Sequence, residues 1–78
     1  MADGPMMSNE ERLVYMANQI ARNLSPMHED DAAEAVAEHI TAFWDGRMRA
    51  RILALQAQGD AGLNPVADAA VTRLRAGH

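Results

Sequence analysis

Residues 29–44 read EDDAAEAVAEHITAFW, with acidic side chains first and apolar side chains at helical spacing behind them. Three acids in a first turn suit the positive end of a helix dipole. The apolar positions cover an arc of roughly 140°, wider than contact with a single neighbour requires. These positions are Ala32, Ala33, Val36, Ala37, Ile40, Phe43 and Trp44. The segment therefore predicts a helix that packs against two other elements.

A second amphipathic helix is predicted before this one, over about residues 9–24. Ser8 and Glu11 have the spacing of a capping box, in which each side chain accepts a hydrogen bond from the backbone of the other residue. The apolar stripe consists of Leu13, Val14, Met16, Ala17, Ile20, Ala21 and Leu24. Tyr15 and Asn18 fall on the polar side of the predicted helix.

Two shorter helices are predicted after residue 44. Asp45 is placed to cap a helix that runs to about Gln58 and ends at Gly59. Asn64 followed by Pro65 is typical of the start of another helix. No segment alternates in the way that a strand does. The sequence therefore predicts an all-α fold, a small single domain of about four short helices over residues 8–76, with a disordered tail at residues 1–7.

The composition of the chain excludes several classes of site and function. The chain has 78 residues, no cysteine and a formal net charge of −4. So small a domain has a marginal core, and a stabilising partner is expected. Lack of cysteine excludes disulfides and thiolate metal sites, and the acidic balance has the wrong sign for a dedicated nucleic-acid binder. No apolar run reaches the roughly 18 residues that span a membrane, and no export signal is recognisable, so a cytoplasmic location is expected.

The polar residues do not form a recognisable catalytic or metal-binding pattern. His28 and His39 each lack a glutamate or a second histidine at the spacing used on metal-binding helices. Ser8 is placed as a helix cap, and Glu34 and Glu38 fall on a solvent-facing side where ordinary solvation is the simpler interpretation. We therefore expect that the chain is not an enzyme and binds no cofactor or metal.

Residues 39–52, HITAFWDGRMRARI, place the only Phe and the only Trp of the chain beside three of its seven arginines. Phe43 lies near the centre of the apolar arc and is expected in the core. Trp44 lies nearer the edge, where an aromatic ring among Arg and Met has the composition of an interaction hot spot. A DNA-binding interpretation is weaker, because three arginines supply few phosphate contacts.

Three segments resemble the characteristic blocks of the delta subunit of bacterial NAD-dependent formate dehydrogenase. They are VYMANQIARNL (14–24), HITAFWDGRMRARI (39–52) and GLNPVADAAVTRL (62–74). The similarity covers most of the chain after residue 8 and is most specific in the first two segments. Gly46 is a departure, because the family usually has proline after Trp-Asp, and proline suits a first helical position that glycine only permits.

The resemblance implies a non-catalytic accessory subunit that supports assembly or stability of a soluble formate dehydrogenase complex. In that family the alpha subunit carries a molybdenum or tungsten bis-pterin guanine dinucleotide and iron-sulfur clusters. The beta subunit carries FMN and the NAD site, and the gamma subunit carries a further cluster. The alpha subunit is the expected direct partner, with beta and gamma in the complex and neither nucleic acid nor membrane involved. The alternative is a free-standing small helical regulator that binds DNA or another protein.

A partner-binding surface is predicted where the first helix and the aromatic-arginine segment supply exposed side chains. Its predicted members are Tyr15, Trp44, Arg47, Met48, Arg49 and Arg51. Phe43 is expected to anchor the fold beside this surface.

Overall fold

The computed structural model describes residues 8–24, 28–59 and 61–77. They form four helices, α1 (Asn9–Asn23), α2 (Glu29–Phe43), α3 (Gly46–Gln58) and α4 (Pro65–Arg75), and these ranges contain no strand. The all-α prediction is confirmed, with the bounds of α1, α2 and α3 and the start of α4 within one residue of those expected. The predicted tail at residues 1–7 lies outside the described residues. None of the four helices is long and apolar enough to cross a membrane.

Three of the helices begin where short polar side chains cap them. The Ser8 amide donates to Glu11 Oε1 at 2.8 Å, and the Glu11 amide donates to Ser8 Oγ at 3.1 Å, which confirms the capping box. Asp45 Oδ1 accepts from the Met48 amide at 2.9 Å, and Asn64 Oδ1 accepts from the Ala67 amide at 2.8 Å. These bonds satisfy amides that have no partner inside the helix.

Helices α2 and α4 pack against each other more extensively than any other two helices. Ala33 and Ala37 of α2, and Ala67 and Ala70 of α4, have no solvent exposure. Small side chains let two helices approach closely, since the distance between helix axes depends on the residues at the contact. Val36, Ile40 and Val71 fill the larger spaces of the same core.

Helices α1 and α3 cover this pair less completely. Fully buried side chains are Ala17 and Ala21 on α1 and Ile52 on α3. The larger apolar side chains of these helices are half-buried and pack against the edge of the core; they include Leu13, Met16, Ile20, Met48, Leu53 and Leu55.

A hydrogen-bonded contact between α1 and the loop before α4 fixes the position of the last helix. Asn18 Nδ2 donates to the carbonyl of Gly62 at 3.0 Å, and the Asn64 amide donates to Asn18 Oδ1 at 2.8 Å. Gly62 has a φ of 87°, in the left-handed region that favours glycine. Asn18, on the predicted polar side of α1, is therefore a structural residue that orients the start of α4.

Candidate partner-binding surface

The structure reverses the expected placement of the two adjacent aromatic residues. Trp44 is 5% exposed and belongs to the core cluster with Ile40 and Ile52, whereas Phe43 is 74% exposed. Helix α2 ends at Phe43, but the Trp44 amide still donates to the Ile40 carbonyl at 2.9 Å, so the Trp44 side chain keeps the register of the buried Ile40 one turn earlier. The Phe43 ring instead contacts His39, with 4.7 Å between ring centroids. The expectation of Phe43 in the core and Trp44 on the surface is therefore wrong.

Arg49 is engaged within the fold. Its guanidinium Nη1 donates to the backbone carbonyl of Trp44, and the side chain is half-buried. This carbonyl follows the last residue of α2, where backbone acceptors lack helical partners and positive charge is favourable. Arg49 thus ties the start of α3 to the end of α2, a role that the sequence pattern did not reveal.

Three other predicted residues, Arg47, Met48 and Arg51, lie together in a groove between α1 and α3. The groove has a volume of about 310 Å³, and α1 supplies the rest of its lining with Asn9, Glu10, Arg12, Leu13 and Met16. We call it the α1–α3 groove. Its apolar members are half-buried and its arginines are exposed, so an apolar floor lies below a basic rim.

The charges at the rim are only loosely paired. Arg51 Nη1 lies 3.5 Å from Glu10 Oε2, and the two side chains are 58% and 41% exposed. An exposed pair of this kind contributes about 0–1 kcal/mol, because water screens both charges. Arg12 and Arg47 make no ion pair with another described residue. The groove therefore presents positive charge in a chain whose formal net charge is −4.

Tyr15 is 51% exposed, which confirms that it is at least partly accessible, but it is not among the residues that line the α1–α3 groove. The structure therefore brings together three of the six predicted residues and leaves Tyr15, Trp44 and Arg49 elsewhere. Sequence reasoning missed the α1 half of the groove. Leu13 and Met16 were recognisable as apolar-stripe residues, but nothing local indicates that α3 lies beside them.

Among the described residues, no group of three or more His, Asp or Glu side chains is arranged to hold a metal ion. The buried side-chain polar atoms of these residues all have hydrogen-bond partners. Apolar or aromatic area of the described residues reaches the surface at the α1–α3 groove and at the side chains of Tyr15 and Phe43.

A family model described as "NADH-dependant formate dehydrogenase delta subunit FdsD" matches residues 12–71. The match includes most of α1, all of α2 and α3, and the first part of α4. The chain belongs to this family. The resemblance inferred from the three sequence segments is thereby confirmed. Comparisons with curated proteins and with solved structures give no match.

Proposed function

We propose that the chain is a non-catalytic accessory subunit of an NAD-dependent formate dehydrogenase complex and supports assembly or stability of that complex. The delta-subunit family match over residues 12–71 carries this proposal. A marginal core in a chain of 78 residues supports it, because such a domain gains stability from a partner.

Formate oxidation and NAD reduction then belong to the other subunits of a cytoplasmic complex. The molybdenum or tungsten bis-pterin guanine dinucleotide, the iron-sulfur clusters and FMN are proposed to reside in alpha, beta and gamma, and the alpha subunit is the proposed direct partner. This chain would contribute binding surface rather than reacting groups.

The proposed contact surface consists of Arg47, Met48 and Arg51 in the α1–α3 groove, together with Tyr15. Trp44 and Arg49 would act indirectly. Burial of Trp44 and the hydrogen bond from Arg49 to its carbonyl hold the start of α3, and so set the positions of Arg47 and Met48. Phe43, exposed at the end of α2, is added as a candidate contact.

The alternative function, a free-standing regulator that binds DNA, loses support from the arginine contacts. Arg49 is engaged with the Trp44 carbonyl. Of the three arginines in residues 47–51, Arg47 and the loosely paired Arg51 remain available, whereas non-specific DNA binding requires several phosphate contacts.

The test is to express the alpha, beta and gamma subunits with and without this chain. We expect omission to reduce the amount of assembled complex or its metal content, with unchanged turnover per fully assembled, metal-loaded complex. Purified chain added after assembly is the control, since an assembly role predicts little recovery of turnover by late addition. Equal assembly and equal metal content with lower turnover would reject the assembly role in favour of a regulatory contact. No difference in any of the three measurements would reject the proposal entirely.

A further inference from the structure

We propose that the α1–α3 groove binds an acidic amphipathic helix of a partner subunit, and that Glu10 occupies the position that a partner carboxylate takes on binding. This inference rests on the proposed function, because it states which kind of partner segment the accessory subunit contacts. It rests on the shape of the α1–α3 groove, on the charges at its rim and on the unfavourable position of Arg47 at the N-terminus of α3.

The dimensions of the groove suit side chains from a helix. Its volume of about 310 Å³ lies at the lower end of small-molecule pockets, which span roughly 300–1,000 Å³. Leu13, Met16 and Met48 form the half-buried floor. Methionine side chains are flexible and polarisable, and they adapt to different apolar partners. A groove between two helices with such a floor accepts apolar side chains from one face of a third helix.

The charge of the rim selects the polar face of that third helix. Arg12, Arg47 and Arg51 border the groove with Glu10 as the one acidic side chain in the lining. A local basic rim on an acidic chain attracts a negatively charged segment and orients it. The apolar floor requires apolar side chains at the centre of the contact, which a protein segment offers and a phosphate backbone does not.

Arg47 is placed where it does not serve the stability of α3. It is the second residue of a helix whose first turn contains no acidic side chain. Positive charge is unfavourable at a helix N-terminus, because the backbone amides there already present partial positive charge. Asp45 already accepts from the Met48 amide, so it is the exposed guanidinium of Arg47, more than the amides, that favours an approaching carboxylate. The position of Arg47 is therefore better explained by recognition of an anionic group than by folding.

Glu10 supplies a carboxylate to the groove in the absence of a partner. The distance of 3.5 Å between Arg51 Nη1 and Glu10 Oε2 is longer than the roughly 2.7–2.9 Å of a strong charge-assisted hydrogen bond. Because both side chains are substantially exposed, the pair is easily exchanged. A partner carboxylate with better geometry would replace Glu10, so that Glu10 weakens binding rather than supporting it.

A second copy of the chain is a less suitable occupant. The acidic start of α2 is the obvious segment to offer, but Arg73 already lies 3.9 Å from Asp30 and 3.1 Å from Glu34. Part of that negative charge is therefore balanced within the chain itself.

Photo-crosslinking in the assembled complex tests which segment occupies the groove. A photoreactive residue replaces Asn9, which is exposed and lines the groove, and in a matched variant it replaces Ala57, which is exposed on α3 outside the groove. We expect position 9, and not position 57, to crosslink to a helical segment of another subunit that is rich in Asp and Glu. Crosslinks to a second copy of this chain, to its own residues 1–7, or equally from both positions, would overturn the inference, as would the absence of crosslinks.

Co-expression of alpha, beta and gamma with both the unaltered chain and one variant tests the charges, because the ratio of the two chains recovered in the complex reports their relative binding. Arg47→Glu and Arg22→Glu make the same change of charge at exposed positions, but Arg22 does not line the groove. We expect Arg47→Glu to weaken binding by about tenfold or more and Arg22→Glu by less than about twofold. Glu10→Gln is expected to tighten binding by about twofold or more, because it removes the competing carboxylate.

Folding does not confound this comparison. A glutamate at position 47 suits the N-terminus of α3, and helix content measured by circular dichroism verifies each variant. Equal binding by Arg47→Glu and Arg22→Glu would overturn the inference and leave the accessory role intact. Failure of the unaltered chain to co-purify with the other subunits would overturn the inference, whereas the accessory role is tested separately by omission of the chain.

Discussion

The two halves of the molecule differ in how completely they are packed. Helices α2 and α4 meet through alanines and valines that have no solvent exposure. Helices α1 and α3 meet through half-buried Leu13, Met16 and Met48, with arginines at the edge. The α2–α4 pair, the closed half, has little apolar area left to bury apart from Phe43, whereas the α1–α3 pair, the open half, still has apolar area to bury. The difference supports the proposal that α1 and α3 form the contact surface, while α2 and α4 mainly specify the fold.

Trp44 belongs energetically to the closed half, although it adjoins the start of α3. Truncation of a buried aromatic removes its packing and leaves a cavity, so Trp44→Ala is expected to lower the free energy of unfolding by about 3–5 kcal/mol. The neighbouring variant Phe43→Ala is expected to change it by less than about 0.5 kcal/mol, because Phe43 is largely exposed. Urea denaturation of the isolated chain measures both. Similar losses for the two variants would show that Trp44 contributes no more to the core than Phe43 does.

The closed half is also expected to resist enlargement of its side chains. Ala37→Leu places extra methylene groups in a site without free space and is expected to cost about 1–3 kcal/mol. Ala57→Leu adds the same atoms at an exposed position of α3 and is expected to be nearly neutral. The midpoints of thermal unfolding of the two variants provide the comparison. A neutral Ala37→Leu would mean that the layer between α2 and α4 contains room that the structure does not show.

Asn18 connects the two halves, and its loss is expected to have an intermediate effect. Asn18→Ala removes the acceptor of the Asn64 amide and the donor to the Gly62 carbonyl, both outside regular helix bonding. We expect a loss of about 1–2 kcal/mol, because the part-buried Asn64 amide and the Gly62 carbonyl must find water instead. Asn23→Ala, at the exposed end of α1, is the control. Hydrogen exchange should show a faster Asn64 amide in Asn18→Ala alone; unchanged exchange would contradict this role.

Interactions between residues close in sequence could be predicted from the sequence, whereas interactions between residues far apart in sequence could not. Capped helix starts were predictable because each cap bonds to an amide three residues away, as at Ser8, Asp45 and Asn64. The Asn18 contact was not, because its partner Gly62 lies 44 residues away. Trp44 and Phe43 were interchanged because both fall within the wide apolar arc of α2, and periodicity does not show which side of that arc meets the other helices. The groove required knowledge that α1 and α3 are neighbours, which helical periodicity alone does not contain.

The smallest expected effect has the opposite sign and concerns Gly46, at the start of α3. Gly46 is the first residue of the helix, where proline is favoured because its missing amide would be unpaired in any case. The preceding Asp45 has φ −79° and ψ 172°, an extended conformation that a following proline requires. A Cβ at position 46 would lie 3.8 Å from Arg49 Nη2, an ordinary contact. Gly46→Pro is therefore expected to raise the free energy of unfolding by about 0.4–1 kcal/mol, through a smaller entropy of the unfolded chain.

Gly62→Ala is the matched control for Gly46→Pro, because it restricts the backbone at a position with positive φ and should be destabilising. A shift of the denaturation midpoint with an unchanged m-value would show that each substitution changes the stability alone. A destabilising Gly46→Pro would show that α3 needs a mobile first residue. Since Arg47 and Met48 follow directly, that result would place conformational freedom in the open half of the molecule. A stabilising Gly46→Pro with undiminished binding would instead show that the groove is already formed in the free chain and that a partner binds it without rearranging the start of α3.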